Sequence, residues 1–247
     1  MSKNIVYITA VDPKGERGYK NFCKESWENW CFKNKAELVF AEQPEIDFFS
    51  YPADWGRYFA LRELKRLGVS FNQVAIVDLD TVIHSDLDNF FELTDGELAA
   101  TLDYDGPAWY VNSIQYFSPL FPDVDIEFDS YLNSGFIVVN QKHEALFERM
   151  IDFYQKFKNN EKQIEVLNPA TGRDQTPFNF LFREMGYRAT ILPKRFNLTH
   201  PDCKNLNSAE EFFKLPSVWH FNTMPTPARN TNMAKVWLGF KELYDLR

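Results

Sequence analysis

The chain has little cysteine: Cys23, Cys31 and Cys203 are the whole supply in 247 residues. An odd count without a Cys-x-x-Cys pair excludes a disulfide framework and a zinc ribbon. Cys23 and Cys31 lie within one stretch of helical spacing. Their separation is about 12 Å along the axis, too far to bridge. Sparse thiols fit a reducing compartment, so a cytoplasmic location is expected.

The chain also lacks a long apolar run: none approaches the ~20 residues that a spanning helix needs. Met1-Ser2-Lys3-Asn4 leads straight into a strand pattern, so neither a signal peptide nor an integral membrane segment is expected. In that setting Asn197-Leu198-Thr199 reads as a chance glycosylation sequon. Basic residues do not dominate: 27 Lys and Arg face 35 Asp and Glu, a net charge of −8, which argues against a nucleic-acid partner. An acidic protein that handles an anionic substrate must offset repulsion locally, and a bound metal is one means. Repeats and low-complexity linkers are absent too, so one domain over 1–247 is expected, with a nucleotide-binding half (1–103) and an acceptor-binding half (104–247).

What is present is alternation of strand and helix patterns. Asn4–Val11 is apolar and β-branched, followed by helical spacing over Glu16–Asn34, a short strand at Ala36–Ala41 and a helix over Ala53–Leu67 closed by Gly68. A third strand ends at Asp78. This βαβαβ pattern is the first half of a nucleotide-binding α/β sheet. Further on, the patterns predict a short helix at Asp86–Leu93, strands at Leu98–Leu102, Gly135–Asn140, Arg188–Leu192 and Ser217–Phe221, and helices at His143–Lys158, Arg173–Gly186 and Asn232–Leu246. Residues 104–131 show no clear period and are expected to be irregular. Aromatics make up 17% of the chain. Most of them fit a core, and some Trp and Tyr could line a sugar site.

The richest local feature is Val74-Ala75-Ile76-Val77-Asp78-Leu79-Asp80-Thr81, a buried-strand run that ends in two carboxylates. Such a strand end is where open α/β sheets bind ligands. Two close carboxylates repel unless they share a cation or a proton. Hard divalent ions favour oxygen ligands, which makes a cation the natural guest. An ordinary turn with two solvated Asp residues is the other reading. Other polar clusters follow. Asn133-Ser134-Gly135 makes a turn whose amides could face a ligand. Asp174-Gln175 opens a helix, where Asp suits the N-cap. His220 stands among apolar neighbours, as a packed core histidine also would, and Arg57 is a lone cation on a packed helix.

Taken in order, a DxD motif after the third strand, then Asn-Ser-Gly, Asp-Gln and a late His-Phe, the chain resembles the GT-A glycosyltransferases, especially glycosyltransferase family 8, from roughly Ile5 to Trp237. The resemblance implies a Rossmann-like α/β fold whose central mixed, mostly parallel sheet is flanked by helices. It implies a UDP-sugar donor, an acceptor that is a glycan, protein or small molecule, and Mn²⁺ or Mg²⁺. Asp80 resembles the direct metal ligand, Asp78 a residue reaching metal and ribose, His220 the third protein ligand, and Arg57 the cation steadying Asp78-Leu79-Asp80. Thr9, Ala10 and Val11 stand where the family seats uracil and ribose. Asn133, Ser134 and Gly135 resemble donor-sugar contacts, and Asp103 and Asp174 resemble partners of sugar hydroxyls. Gln175 resembles the residue nearest the anomeric carbon. Family 8 enzymes retain configuration, and the resemblance implies the same here. The family's His-Phe-x-Gly and Lys-Pro-Trp runs are altered to His220-Phe221-Asn222-Thr223 and Ala234-Lys235-Val236-Trp237.

Two alternatives stay open on the sequence. Asp78-Leu79-Asp80-Thr81-Val82 also fits the D-x-D-x-[TV] of haloacid-dehalogenase-like phosphatases, with Asp78 as nucleophile. Against that, the motif sits late in the chain and no second acidic pair follows a later strand. A non-catalytic nucleotide-sugar binding module is the other alternative.

Overall fold

The computed structural model describes residues 3–9, 17–40, 52–103, 107–158, 174–199, 215–222 and 224–244. The strands are β1 (Lys3–Thr9), β2 (Glu37–Phe40), β3 (Phe71–Asp78), β4 (Thr81–Ile83), β5 (Leu98–Leu102), β6 (Leu132–Val139), β7 (Ala189–Ile191), β8 (Leu198–Thr199) and β9 (Val218–His220). The helices are α1 (Arg17–Asn34), α2 (Ala60–Arg66), α3 (Pro107–Phe117), α4 (Glu144–Lys158), α5 (Gln175–Glu184) and α6 (Thr226–Tyr244).

Six strands form one sheet in the order β2-β1-β3-β6-β5-β7. β1 is parallel to β2 and β3, β5 is parallel to β7, and β6 runs antiparallel to both its neighbours. The mixed, mostly parallel sheet expected for a GT-A fold is therefore present. Near-continuous apolar runs mark strands covered on both faces. Ile5, Tyr7, Val74, Ile76, Ile137 and Val139 pack on one face, with side chains of α2, α4 and α5. Val6, Ile8, Ala75, Val77, Phe136 and Val138 pack on the other, against Trp27 and Trp30 of α1 and Val236 and Trp237 of α6. The aromatics serve this core: Trp27, Trp30, Trp55, Trp219 and Trp237 are buried. Cys23 and Cys31 are buried free thiols.

A second, three-stranded sheet, β4-β9-β8, stands beside the main one. β4 and β8 have no period of their own in the sequence, because two or three residues cannot show one. They exist because β9 pairs with both. This small sheet turns out to build the site.

Other expectations need correction. Residues 107–117 are helical, not irregular. Pro107 stands at the first helical position, and Tyr110, Ile114 and Phe117 recur at helical spacing, a signal masked by the many aromatics and prolines around them. The helix expected over Ala53–Leu67 is a 3₁₀ segment (Ala53–Phe59) running into α2. Only Phe90–Glu92 is helical where a helix was expected at Asp86–Leu93, and α6 begins six residues before Asn232. Ala10, Val11 and Cys203 lie outside the described residues.

Candidate active site

β3 ends at Asp78, beside Thr9 of β1 in register. The chain turns at Leu79-Asp80, with Leu79 packed into the core. The Thr81 hydroxyl donates to the Asp78 carbonyl at 2.7 Å and pins the turn. β4 then pairs antiparallel with β9, placing Thr81 opposite His220, and the Phe221 N–H donates to the Asp80 carbonyl at 2.8 Å. A one-residue slip of that pairing would turn the imidazole to the other face. In the observed register His220 Nε2 lies 3.3 Å from Asp80 Oδ1 and 3.6 Å from Asp78 Oδ2. These are the three residues whose ligand atoms all lie within 4.8 Å of one another, and no other such group of His, Cys, Asp and Glu occurs among the described residues.

The donor set suits a divalent ion, since carboxylate and imidazole groups both ligate such cations. The test is in His220 itself, whose Nε2 is buried without a hydrogen-bond partner while facing both carboxylates. Buried polar atoms are normally satisfied, and a cation between the three side chains satisfies this one. Without a cation, burial disfavours the charged imidazole, yet Asp80 and Asp78 outweigh it and hold the His220 pKa above its ordinary value. Burial likewise opposes the Asp80 charge, while His220 and Arg229 draw its pKa down.

Arg57 is the second anchor. Its buried guanidinium lies 3.0 Å from Asp78 Oδ2 and 3.4 Å from Asp174 Oδ2, and donates to Ser134 Oγ at 2.9 Å. Burial works against its charge, but Asp78 and Asp174 more than compensate, so it stays protonated. The 3₁₀ turn that carries Arg57 aims it, through a bond from Nε to the Asp54 carbonyl at 2.9 Å. Asp174 occupies the N-cap position of α5 but makes no side-chain cap bond. Its carboxylate instead accepts from Tyr58 Oη at 3.3 Å and Ser134 Oγ at 3.2 Å. A cap residue diverted from capping is a sign of another duty.

Gln175 and Asn133 converge on one oxygen. Gln175 Nε2 donates to Asp103 Oδ2 at 2.7 Å, and Asn133 Nδ2 donates to the same atom at 3.1 Å. The Ser134 N–H donates to Gln175 Oε1 at 2.9 Å. Gly135 lies against His220 and Asp78. The structure thus brings together Arg57, Asp78, Asp80, Asp103, Asn133, Ser134, Gly135, Asp174, Gln175 and His220, drawn from six separate stretches of chain. Thr9 reaches the same sheet edge by its backbone. Leu79 belongs to the core. Sequence reasoning overlooked Tyr58 and Asn197, and it did not set Arg229 beside Asp80. Arg229 Nη1 stands 3.4 Å from Asp80 Oδ2. Nothing local to these residues marks them, since each reaches the site through tertiary contact.

Known proteins can be set beside this geometry. The sequence model of the family described as "Glycosyl transferase family 8" matches residues 32–227. No curated protein sequence matches the chain. Solved structures share the fold at low identity. A glycosyltransferase involved in glycosylation of the major capsid of PBCV-1 is 12% identical, with a TM-score of 0.61, covering 94% of this chain and 99% of that one. The galactosyltransferase LgtC, solved with donor and acceptor sugar analogs, is 12% identical with a TM-score of 0.53, covering 95% of each chain. The bifunctional glycosyltransferase WbbM is 16% identical with a TM-score of 0.60, and the match covers 96% of this chain and 49% of that one.

Proposed function

This chain belongs to glycosyl transferase family 8 and is a glycosyltransferase that uses a nucleotide-sugar donor, and from that premise we propose that it is a metal-dependent, retaining hexosyltransferase. The donor in this reading is UDP-glucose or UDP-galactose. The acceptor is a hydroxyl of a glycan, protein or small molecule. The observation that carries the metal dependence is the meeting of Asp78, Asp80 and His220 around a buried Nε2 with no hydrogen-bond partner.

Asp80 and His220 hold Mn²⁺ or Mg²⁺, and Asp78 reaches both the ion and the ribose. When bound, the divalent ion offsets the charge that gathers on the departing diphosphate, by several kcal/mol and without proton transfer. Arg57 pairs with Asp78 and aims it, and Arg229 adds positive charge beside Asp80. Thr9, Ala10 and Val11 seat uracil and ribose, with the Leu79 backbone completing that edge. Asn133, Ser134 and Gly135 face the donor sugar, and Asp103 and Asp174 take its hydroxyls. The Gln175 amide oxygen, held by the Ser134 N–H, and the Asp174 carboxylate supply negative poles for the positive charge that develops at the anomeric carbon. Residues 1–103 serve the nucleotide and 104–247 the acceptor within one catalytic domain. A cytoplasmic location accords with the free thiols; among the described residues no helix is long and apolar enough to cross a membrane.

Thermal melting with UDP, with and without Mn²⁺, tests the site, followed by hydrolysis of UDP-glucose and UDP-galactose by wild type and Asp80→Ala. UDP is expected to raise the melting temperature only with Mn²⁺. Asp80→Ala is expected to lose both that shift and turnover. Stabilisation by UDP alone, or robust turnover by Asp80→Ala, overturns metal dependence. Turnover of p-nitrophenyl phosphate would instead favour the phosphatase alternative.

A further inference from the structure

Asn197 is buried and has no part in the function set out above. One end of its amide meets His220, with Oδ1 2.9 Å from the imidazole Nδ1. The other end meets Asn133, with Nδ2 2.8 Å from Oδ1, and lies 3.4 Å from Thr101 Oγ1. Amide orientation and ring tautomer must be inferred from partners whose chemistry is unambiguous. Two such partners are backbone N–H groups of consecutive residues.

The Gly135 N–H donates to Asn133 at 2.9 Å, so the atom it meets is the amide oxygen. Asn133 Nδ2 then faces Asp103 Oδ2. The Ser134 N–H orients Gln175 in the same way and turns its Nε2 to the same carboxylate oxygen. An acceptor at Asn133 Oδ1 requires a donor from Asn197, so Nδ2 faces Asn133 and Oδ1 faces the imidazole. An amide oxygen can only accept, so His220 Nδ1 must carry a proton. With the ring neutral, Nε2 is bare and its lone pair points between Asp78 and Asp80. The relay has one polarity throughout: His220 to Asn197 to Asn133 to Asp103, each donating to the next.

We propose that Asn197 is a positioning residue that fixes His220 in its Nδ1–H tautomer and presents Nε2 as a ligand to the divalent cation. This rests on the metal-dependent reading given above. The same relay ties the metal ligand to Asp103 and Gln175, the residues assigned to the donor sugar. A hydrogen bond on the second ring nitrogen is the usual means of orienting a ligating histidine, and its loss typically weakens metal affinity 10–100-fold.

Two measurements test the proposal without transferase activity. The first is ¹⁵N NMR of the histidine rings in metal-free wild type, at a pH where the His220 ring is neutral, with His220→Gln used only to assign the signal. The expected result is a protonated Nδ1 and a bare Nε2. The second is Mn²⁺ titration followed by electron paramagnetic resonance, with Asn197→Ala beside wild type. Asn197→Ala is expected to bind Mn²⁺ at least about tenfold more weakly and to show mixed His220 tautomers, while Mn²⁺ no longer selects a preset ring. An Nε2–H tautomer in wild type overturns the proposal, whether or not the variant folds. Wild-type Mn²⁺ affinity in Asn197→Ala also overturns it. Absence of saturable Mn²⁺ binding by wild type sinks the metal-dependent reading itself, and is distinguishable because the tautomer is read without metal.

Discussion

Gly135 and His220 touch so closely that no side chain fits between them. A Cβ added at position 135 would lie 2.3 Å from His220 Cε1 and 3.1 Å from Asp78 Oδ2. The imidazole is thus held between the β6 backbone and the Asn197 amide. Gly135→Ala must displace the ring. Overpacking of this kind destabilises by about 1–3 kcal/mol. The expected outcome is a lower melting temperature together with weaker Mn²⁺ binding, read by calorimetric titration. Unchanged Mn²⁺ affinity would show that the ring is not a ligand in its observed place.

Arg57 serves Asp78, Asp174 and Ser134 at once. Removing it leaves the buried Asp174 and the half-buried Asp78 without this cation, and breaking a buried pair from one side typically costs about 3–5 kcal/mol. Arg57→Ala is therefore expected to lower the urea midpoint markedly. Arg57→Lys restores the charge but not the planar fork, and should recover only part of the loss. Equal stability of Arg57→Lys and wild type would mean that charge alone matters.

Asp80→Asn keeps the shape of the side chain and removes its charge. Its partners, His220 and Arg229, then face an amide. Transfer should fall at least about a hundredfold, the rate equivalent of ~3 kcal/mol of lost charge stabilisation. Treating wild type with a chelator should reproduce the loss, and added Mn²⁺ should reverse it in wild type only. Activity that survives chelation would exclude the metal's part in transfer.

His143 gives a pH-dependent stability unrelated to the site. It is buried, its Nδ1 accepts from the Asn140 N–H at 3.1 Å, and its Nε2 has no partner. Burial, helped by Lys142, pushes its pKa down to about 4 from 6.5. The unfolded chain therefore binds the extra proton first as pH falls. Stability from this group is full above pH 6.5 and drains away towards pH 4. The swing should amount to roughly 3 kcal/mol. His143→Gln keeps an acceptor at the N3 position of the capping box and cannot titrate. Urea unfolding across that range should show a flatter profile for the variant, and parallel profiles would remove His143 as the cause.

Much of this protein was legible residue by residue. The run into Asp78 declared a strand buried on both faces, because only such strands are apolar without alternation. The Asp78-Leu79-Asp80 pair declared a charge problem that a cation resolves. Asp174-Gln175 marked a helix start correctly, but the sequence could not say that the Asp174 carboxylate turns away from the helix to Arg57 and Tyr58. Helix α3 was hidden by its own composition, since the same aromatics that make it amphipathic also fill irregular loops.

The order of strands and helices and the types of chemical group were determined by the chain itself, through periodicities of two and 3.6 residues that act over short range. Which groups meet was decided only in three dimensions. β4 and β8 are too short to hold a pattern, yet their pairing with β9 sets His220 opposite Thr81, brings Asn197 to Nδ1, and lets Asp80 see the ring. Register between strands distant in sequence comes from packing and hydrogen bonding across the whole fold, and no local run of residues encodes it.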